Sequence, residues 1–410
     1  MQKHLYSLAI LLASLATITS IQAQSNTNFR MAPNKDEIQI DLLGNYYNQE
    51  GEFGAPQGGV GTEQLDNIAG MLVVKVPIDS NSSLQVQAGA DYYSSASTDK
   101  IDYQASSESS NDLRKYGSVT WTEKDLGGGR TYSATAGLSL EYDYTSINGA
   151  LGFSQEWDRG ANELSVGARA FFDSWKYIIP LELRSSGQVT PNTNRRSYGL
   201  SVVYSRIINR RLQVALTAEV NYMEGLLSTP FHRIYYAGAP ENAYERFIPA
   251  DDVERLPDTR LKIPVSARLN WMISDVLSLR TFARYYTDNW GLEGITADLE
   301  LGWDVSPALT LMPGFSYYDQ QGSDYYAPFG TALPTEEFIS SDIDLSELSM
   351  TKVGLGIRYA PIVGLARGKL GKIGLDWRQI TLRGAYYDRN PGLTAYSFTL
   401  ATGVILRKMK

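Results

Sequence analysis

Hydrophobic and polar residues alternate with a period of two along most of the chain. Between Thr259 and Ile273 the odd positions are mostly apolar, whereas the even positions include Arg260, Lys262 and Arg268. Because successive side chains of a β-strand point to opposite faces, this pattern predicts a strand with one apolar and one polar face. Similar runs, separated by short turns or polar loops, extend from Asp36 to Leu406, while helical periodicity is almost absent.

These runs predict an all-β protein with about sixteen antiparallel strands, within a range of roughly 14 to 18. An open sheet of this size would expose two unpaired edges, so we expect the strands to close into a barrel. In the penultimate strand the apolar phase shifts between Trp377 and Ile380, which predicts a β-bulge at that point.

Aromatic residues mark both ends of the predicted strands. Amphipathic rings concentrate where a membrane meets water, so two belts separated by one strand length predict a transmembrane barrel. A soluble β-sandwich or propeller would also show alternation, but it needs no aromatic residue at nearly every strand end. The belt residues include Tyr46, Tyr92, Tyr285, Tyr317 and Tyr386 at one side and Trp121, Trp157, Trp271 and Trp303 at the other.

The N-terminus carries the pattern of an exported protein. Residues 1–23 have a basic start, an apolar run and an end at Ala23, which is the layout of a cleavable secretory signal. We expect a polar periplasmic tail at residues 24–35 and a single outer-membrane barrel at residues 36–410, surrounded by membrane lipid. No stretch approaches the roughly 20 apolar residues that a spanning helix needs, so a helical membrane protein is excluded.

Composition narrows the function further. The chain has no cysteine, which excludes a disulfide framework and a thiol-linked lipid anchor. It has 45 acidic against 37 basic residues and a formal charge of −8, which disfavours nucleic acid as a partner. No change of composition along the chain indicates a linker between domains.

Charges of both signs occupy the polar faces of the three strands that follow Thr259. An arginine or lysine that faces lipid at the bilayer midplane costs about 2–4 kcal/mol, so we expect these charges to face the lumen. There they form either a network of ion pairs that stiffens the barrel or a transverse field that selects polar or anionic solutes. The candidate lumen charges are Arg260, Lys262, Arg268, Arg280, Arg284, Asp298, Glu300 and Asp304.

Two long segments, Glu224 to Pro257 and Asp319 to Ser346, contain more aromatic rings than loops in water would carry. We predict that one or both fold inward as a plug or constriction, or cap the outer mouth of the barrel. The alternative is that they pack on each other as a rigid lid without a role in gating. The candidate constriction residues are Phe231, His232, Tyr235, Tyr236, Asp324, Tyr325 and Tyr326.

Few residues are suited to catalysis or metal binding. His232 is the only histidine after the signal, and an outer-membrane hydrolase would need it as general base, but no serine motif accompanies it. The pairs Asp251 with Asp252 and Asp342 with Asp344 could bind Ca²⁺ on outer loops, although solvated loop charge is the simpler explanation. We therefore predict no enzymatic activity, no cofactor and no resident metal.

Three stretches form distinctive sequence motifs: residues 254–260 (ERLPDTR), residues 284–290 (RYYTDNW), and the run from Pro313 to Tyr326. Together they resemble the family known as domain of unknown function 3570, a group of predicted bacterial outer-membrane barrels. The resemblance is clear in the C-terminal half, which contains these motifs. In the N-terminal half it is limited to the general character of the sequence. It implies a fold and a location, and it implies no mechanism.

The favoured function is passive or gated passage of a small polar solute, with the charged lumen setting selectivity and the aromatic loops forming the constriction. A lumen of sixteen strands is wide enough for an aqueous channel. The second hypothesis is a sealed structural barrel whose loops bind another envelope protein. The third is an outer-membrane hydrolase that depends on His232.

Overall fold

Alternating side chains build a barrel with an apolar outer surface and a polar lumen. The computed structural model describes residues 37–52, 62–94, 111–125, 127–184, 192–230, 232–239 and 248–408. The expected signal at 1–23, the tail at 24–35 and Phe231 lie outside these residues.

The described residues contain nineteen strands and two short 3-10 turns, at Leu181–Leu183 and Ile343–Leu345. The strands are β1 (Glu37–Gly51), β2 (Leu65–Pro77), β3 (Ser82–Ser94), β4 (Asn111–Asp125), β5 (Arg130–Leu140), β6 (Tyr144–Trp157), β7 (Asn162–Lys176), β8 (Asn192–Asn209), β9 (Leu212–Gly225), β10 (Arg233–Ile234), β11 (Asp252–Val253), β12 (Thr259–Met272), β13 (Leu277–Asp288), β14 (Glu293–Ser306), β15 (Leu309–Gln321), β16 (Leu348–Tyr359), β17 (Ala366–Leu370), β18 (Ile373–Asn390) and β19 (Leu393–Lys408).

Sixteen of these strands close into one antiparallel barrel, which confirms the predicted fold. The ring closes where β1 pairs with both β2 and β19, and it passes from β9 to β12 and from β16 to β18. The short strand β17 pairs with β18 alone, while β10 and β11 pair with each other outside the barrel. These three short strands were not predicted, because two to five residues are too few to show a period of two.

The predicted irregularity in the penultimate strand is also confirmed. The register between β18 and β19 shifts between Trp377 and Gln379. One extra residue of β18 therefore has no partner in β19 at this point. The strands on either side of this bulge remain paired, and β16 continues to pair with β18 as far as Ile380.

The connections differ in length between the two ends of the barrel. At the turn end, strands are joined by tight connections such as residues 158–161 between β6 and β7. At the loop end lie the long connections, including residues 226–258 between β9 and β12 and residues 322–347 between β15 and β16. We call these last two segments the long loops.

Tyrosine doublets at the loop end place one ring outside and the other inside. Tyr46 is 41% exposed on the outer surface, whereas Tyr47 is 5% exposed in the lumen. The exposed members are Tyr46, Tyr92, Tyr285, Tyr317 and Tyr386; the exposed aromatic residues near the turn end include Trp121, Trp157, Trp271 and Trp303. Large aliphatic side chains are exposed between these two sets, for example Leu151 and Leu200.

Buried apolar residues collect at the loop end. Tyr47, Leu65, Leu393 and Ala395 form one such cluster where β1, β2 and β19 meet. Within the described residues, no helix is long and apolar enough to cross a membrane.

The exposed aliphatic surface predicts the effect of a charge on it. Leu151 lies in the middle of β6 and is 67% exposed, so Leu151→Arg should lower the free energy of unfolding in a bilayer by about 2–4 kcal/mol. Chemical denaturation of the barrel refolded into lipid vesicles measures this change. Gln87→Arg on the lumen face of β3 is the matched control and should cost much less; equal losses would contradict the assignment of faces.

Candidate functional site

The two long loops pack on each other as one body at the loop end of the barrel. Isolated bridges join Tyr236 to Ala332 and Arg255 to Ile339, and so connect the first long loop to the second. Ile234, Ala332 and Ile339 form its apolar centre, and each is at most 2% exposed. The aromatic segments therefore do not hang free in water.

A buried polar cluster lies inside this body; it consists of His232, Glu254, Ser340 and Asp342 and is called the His232 cluster. Nδ1 of His232 lies 2.9 Å from Oε2 of Glu254 and 3.9 Å from Oδ2 of Asp342. His232 and Ser340 are fully buried, and both carboxylates are nearly so. Burial alone would lower the pKa of His232, but Glu254 and Asp342 outweigh it and raise this pKa to about 9. The cluster thus strongly favours a cation at the imidazole.

The same cluster bears on the hydrolase hypothesis. The hydroxyl of Ser340 donates to Oε2 of Glu254, the oxygen that also lies against His232. A serine nucleophile needs a hydrogen bond to its histidine base and access for a substrate. Here serine and histidine meet the same carboxylate instead.

Buried ion pairs attach the long loops to the rest of the protein. Arg233, which is fully buried, donates from Nε to Oε1 of Glu182 at 2.6 Å and so contacts the connection between β7 and β8. On β18, Arg389 bonds Glu63 at 2.6 Å and Asp344 at 3.2 Å. Asp344 belongs to the Ile343–Leu345 turn, so Arg389 joins the second long loop to the barrel wall and to the segment before β2.

The predicted constriction residues of the first long loop lie within this body. Tyr235 packs its ring 4.8 Å from that of Phe329 and donates its hydroxyl to the carbonyl of Ile248. Tyr236 donates its hydroxyl to Asp252 at 2.7 Å. Both tyrosines therefore help to hold the long loops together.

The second long loop contacts the short connection between β13 and β14. The ring of Tyr325 lies 5.9 Å from that of Trp290, and the amide of Asp324 donates to the carbonyl of Trp290. Gly291 has φ of +78°, and a Cβ there would lie 2.6 Å from the Asp324 carboxyl group, so a larger residue would displace this contact. Tyr326 bridges to Ser340 of the same loop.

Several of the candidate lumen charges form ion pairs on the inner face of the barrel. Arg260 bonds Asp288 and stacks over Trp290, with 4.1 Å between the guanidinium and the ring centre. Glu300 receives both Arg280, at 2.8 Å, and Arg383, at 2.5 Å. Asp304, near the turn end, accepts from the hydroxyl of Thr310.

Three of these partners were not predicted from the sequence: Asp288, Arg383 and Arg389. Asp288 and Arg389 lie at the ends of their strands. Arg383 lies three strands away from its partner Glu300 around the barrel. The sequence pattern could have identified Arg383 as a lumen residue, because it lies on the same face of β18 as Tyr387 and Arg389.

Four basic side chains on the same side of the lumen have no carboxylate oxygen within 4 Å among the residues that the structure describes. Arg268 lies over the ring of Phe282 at 5.1 Å, and Lys352 lies over that of Tyr387 at 5.4 Å. Arg284 contacts the hydroxyl of Thr296 at 3.4 Å, and Asp298 lies opposite Phe282 in the ladder. Arg268, Arg284 and Lys352 give the wall from β12 to β18 a positive charge. With Lys262, they form the surface that we call the basic wall.

Small residues line part of the lumen face of β5 to β8, next to larger inward side chains such as Arg169 on β7. Glycine, serine and threonine side chains leave a groove of about 310 Å³ along the inside of β5 to β8. These short side chains leave free space along this part of the inner wall. The small inward residues include Ser133, Gly152, Ser154, Ser165, Gly167 and Ser201.

Comparison with known sequences gives one family match. The family model described as "Protein of unknown function (DUF3570)" matches residues 7–395. No curated protein sequence matches the chain.

Solved structures with similarity to this chain include two receptors and a porin. The ferric enterobactin receptor PfeA of Pseudomonas aeruginosa is 11% identical with a TM-score of 0.43. The match covers 85% of this chain and 54% of the receptor. The siderophore receptor PirA of Acinetobacter baumannii is 8% identical with a TM-score of 0.40, at 85% and 53% coverage. A BenF-like porin of Pseudomonas fluorescens Pf-5 is 9% identical with a TM-score of 0.41, at 89% and 98% coverage. The chain thus spans about half the length of the two receptors.

Removal of Arg233 tests whether buried ion pairs hold the long loops in place. Arg233→Ala leaves Glu182 without its guanidinium partner, which should favour opening of the long loops by about 3–5 kcal/mol. Limited proteolysis, followed by mass spectrometry of the fragments, should show faster cleavage within residues 226–258. The control is Arg196→Ala, which breaks the exposed pair with Glu224 and should cost under about 1 kcal/mol; equal cleavage of both variants would contradict the prediction.

Proposed function

This chain belongs to the DUF3570 family of proteins of unknown function, and from its own residues we propose that it is an outer-membrane barrel for the passage of small polar solutes. In this proposal the lumen favours anions, and the long loops constrict the mouth at the loop end. No reaction is assigned to the protein, because Ser340 and His232 both bind Glu254 rather than each other.

The outer surface supports a location in a lipid bilayer. Exposed aliphatic side chains are bounded by aromatic rings at both ends of the strands, as expected where a barrel crosses two interfaces. Membrane lipid is therefore the partner that we propose for this surface, and the expected signal at residues 1–23 provides the route of export. Since export through a signal and strands that span a membrane occur together in Gram-negative bacteria, we propose the outer membrane.

The basic wall is the observation that carries the proposed selectivity. Lys262, Arg268, Arg284 and Lys352 face a lumen whose opposite wall has short glycine and serine residues. A solute that moves through the lumen passes Arg268, Arg284 and Lys352, which have no carboxylate oxygen within 4 Å among the residues that the structure describes. Rings and rows of cations favour anions through Coulomb attraction, which is stronger inside a narrow lumen than in bulk water.

The long loops supply the constriction in this proposal. Their ends are fixed at β9, β12, β15 and β16, and the Ile343–Leu345 turn contacts the lumen-facing Arg389 and Gln320. A segment that touches inward side chains of the wall narrows the passage at that level. The attachment through Arg389 is therefore the proposed latch of the constriction.

Neutralisation of the basic wall tests the selectivity. The combined variant Arg268→Gln, Arg284→Gln and Lys352→Gln should lower the Cl⁻ to K⁺ permeability ratio by a factor of about two or more, because it removes three lumen cations. The reversal potential across a planar bilayer under a KCl gradient measures this ratio. Arg211→Gln, which removes a cation at the turn end, is the control; an unchanged ratio in the triple variant, or no channel activity in the wild type, would contradict the proposal.

Release of the latch tests the constriction. Arg389→Gln leaves the carboxylates of Glu63 and Asp344 without their shared guanidinium group, so the Ile343–Leu345 turn should leave the wall. We expect a higher single-channel conductance than that of the wild type. The control is Arg367→Gln, which loses the pair with Asp376 at the other end of the barrel; equal conductance of wild type and Arg389→Gln would show that this turn does not limit flow.

A sealed barrel that binds another envelope protein is the second candidate. The complete burial of His232, Arg233 and Ser340 favours it, because a body so tightly packed could close the mouth permanently. In that case purification from membranes under mild detergent would recover a stoichiometric partner, and no variant of Arg389 would conduct.

A further inference from the structure

We propose that His232, Glu254 and Asp342 form a binding site for a divalent transition-metal ion, with Zn²⁺ as the best fit, which joins the two long loops. The site is independent of conduction, since a sealed barrel and a channel would hold it equally well. His232 and Glu254 come from the first long loop and Asp342 from the second.

The donor atoms have the spacing of ligands around one ion. One atom from each of the three residues lies within 4.8 Å of the others, and Nδ1 of His232 lies 2.9 Å and 3.9 Å from the two carboxylate oxygens. Zinc bonds of about 2.0–2.2 Å in a tetrahedral site separate ligands by roughly 3.3 Å. The distance of 3.9 Å to Asp342 is too long for a hydrogen bond, whereas both distances lie near the ligand spacing.

The second oxygen of each carboxylate is held by a backbone amide. Oε1 of Glu254 accepts from the amide of Thr229, and Oδ1 of Asp342 accepts from the amide of Asp344. These bonds turn Oε2 and Oδ2 toward His232. Metal ligands are commonly oriented in this way by a surrounding shell of hydrogen bonds.

A buried polar atom of a neighbouring residue also indicates a ligand. Oγ1 of Thr229 is buried without a hydrogen-bond partner among the described residues, and Thr229 is 1% exposed. Thr229 is adjacent to the donor set, because its amide donates to Oε1 of Glu254. A protein interior leaves few polar atoms unpaired unless an ion or water completes their contacts.

Charge favours a dication over a proton at this position. Two carboxylates and one imidazolium carry a net negative charge in a fully buried site, which is costly. A divalent ion with a neutral imidazole balances both carboxylates.

The donor set selects the class of metal. Imidazole suits Zn²⁺, Fe²⁺ and other transition ions, whereas Ca²⁺ and Mg²⁺ prefer six or more oxygen ligands or retain several waters. A fully buried site with one nitrogen and two carboxylate donors, and little room for water, therefore fits Zn²⁺ best.

Metal binding by the full-length protein tests the site. The refolded barrel is stripped with a chelator, dialysed against Zn²⁺ and analysed for metal content; we expect one Zn²⁺ per chain. Glu254→Gln and Asp342→Asn should each weaken binding by roughly tenfold or more, and His232→Ala should remove it. Co²⁺ in place of Zn²⁺ should give visible ligand-field absorption that is lost in the same variants.

Two controls keep the test decisive. Asp252→Asn removes a carboxylate of the same loop that bonds Tyr236 and Arg255, and it should bind Zn²⁺ as the wild type does. The heat-dependent mobility of the folded barrel on gels shows that each variant has folded. Absence of stoichiometric Zn²⁺ in the wild type, or equal binding by the wild type and the three cluster variants, would overturn the site, and displacement of Zn²⁺ by equal Ca²⁺ or Mg²⁺ would overturn the choice of metal.

Discussion

Closure of the backbone hydrogen-bond ladder is the constraint on which the rest of this structure depends. A strand in lipid has no water to satisfy its amides and carbonyls, so each strand needs a neighbour on both sides. The pairing of β1 with β19 supplies the last ladder, from Glu37 opposite Arg407 to Gly51 opposite Leu393. Once the ring is closed, each side chain must face either the outer surface or the lumen, and the two faces take opposite chemistry.

The lumen then replaces the usual hydrophobic core. Because inward positions are polar, the inner walls carry charge pairs such as Arg280 with Glu300 and Arg195 with Asp173 in place of packed aliphatic groups. Buried pairs of this kind contribute little net stability, but the loss of one partner is costly. Ion pairs therefore give the lumen a defined arrangement, and the basic wall keeps an excess of positive charge.

The loop body supplies the apolar packing that the barrel lacks inside. Ile234 and Ile339 bury their side chains between the long loops, and the His232 cluster lies beside them. Its attachments through Arg233 and Arg389 reach two separate connections and one strand. These attachments connect the two long loops to several separate parts of the barrel.

The sequence alone predicted the parts of the fold that arise from local periodicity. Alternation identified the barrel strands and the bulge after Trp377, because the pleat of a strand imposes a period of two on any surface with different solvents on its faces. The same alternation indicated that Arg280 and Glu300 lie on one face of the sheet. In the structure they are opposite each other on β13 and β14 and form an ion pair.

Only the tertiary structure decided which distant residues meet. Arg389 bonds Glu63 across 326 positions of the chain, and Ser340 bonds Glu254 across 86. The segments that carry these residues have no regular period, so their path follows from loop packing and barrel closure rather than from local pattern. For this reason the sequence identified His232 as a lone loop histidine, whereas the fold places two buried carboxylates beside it.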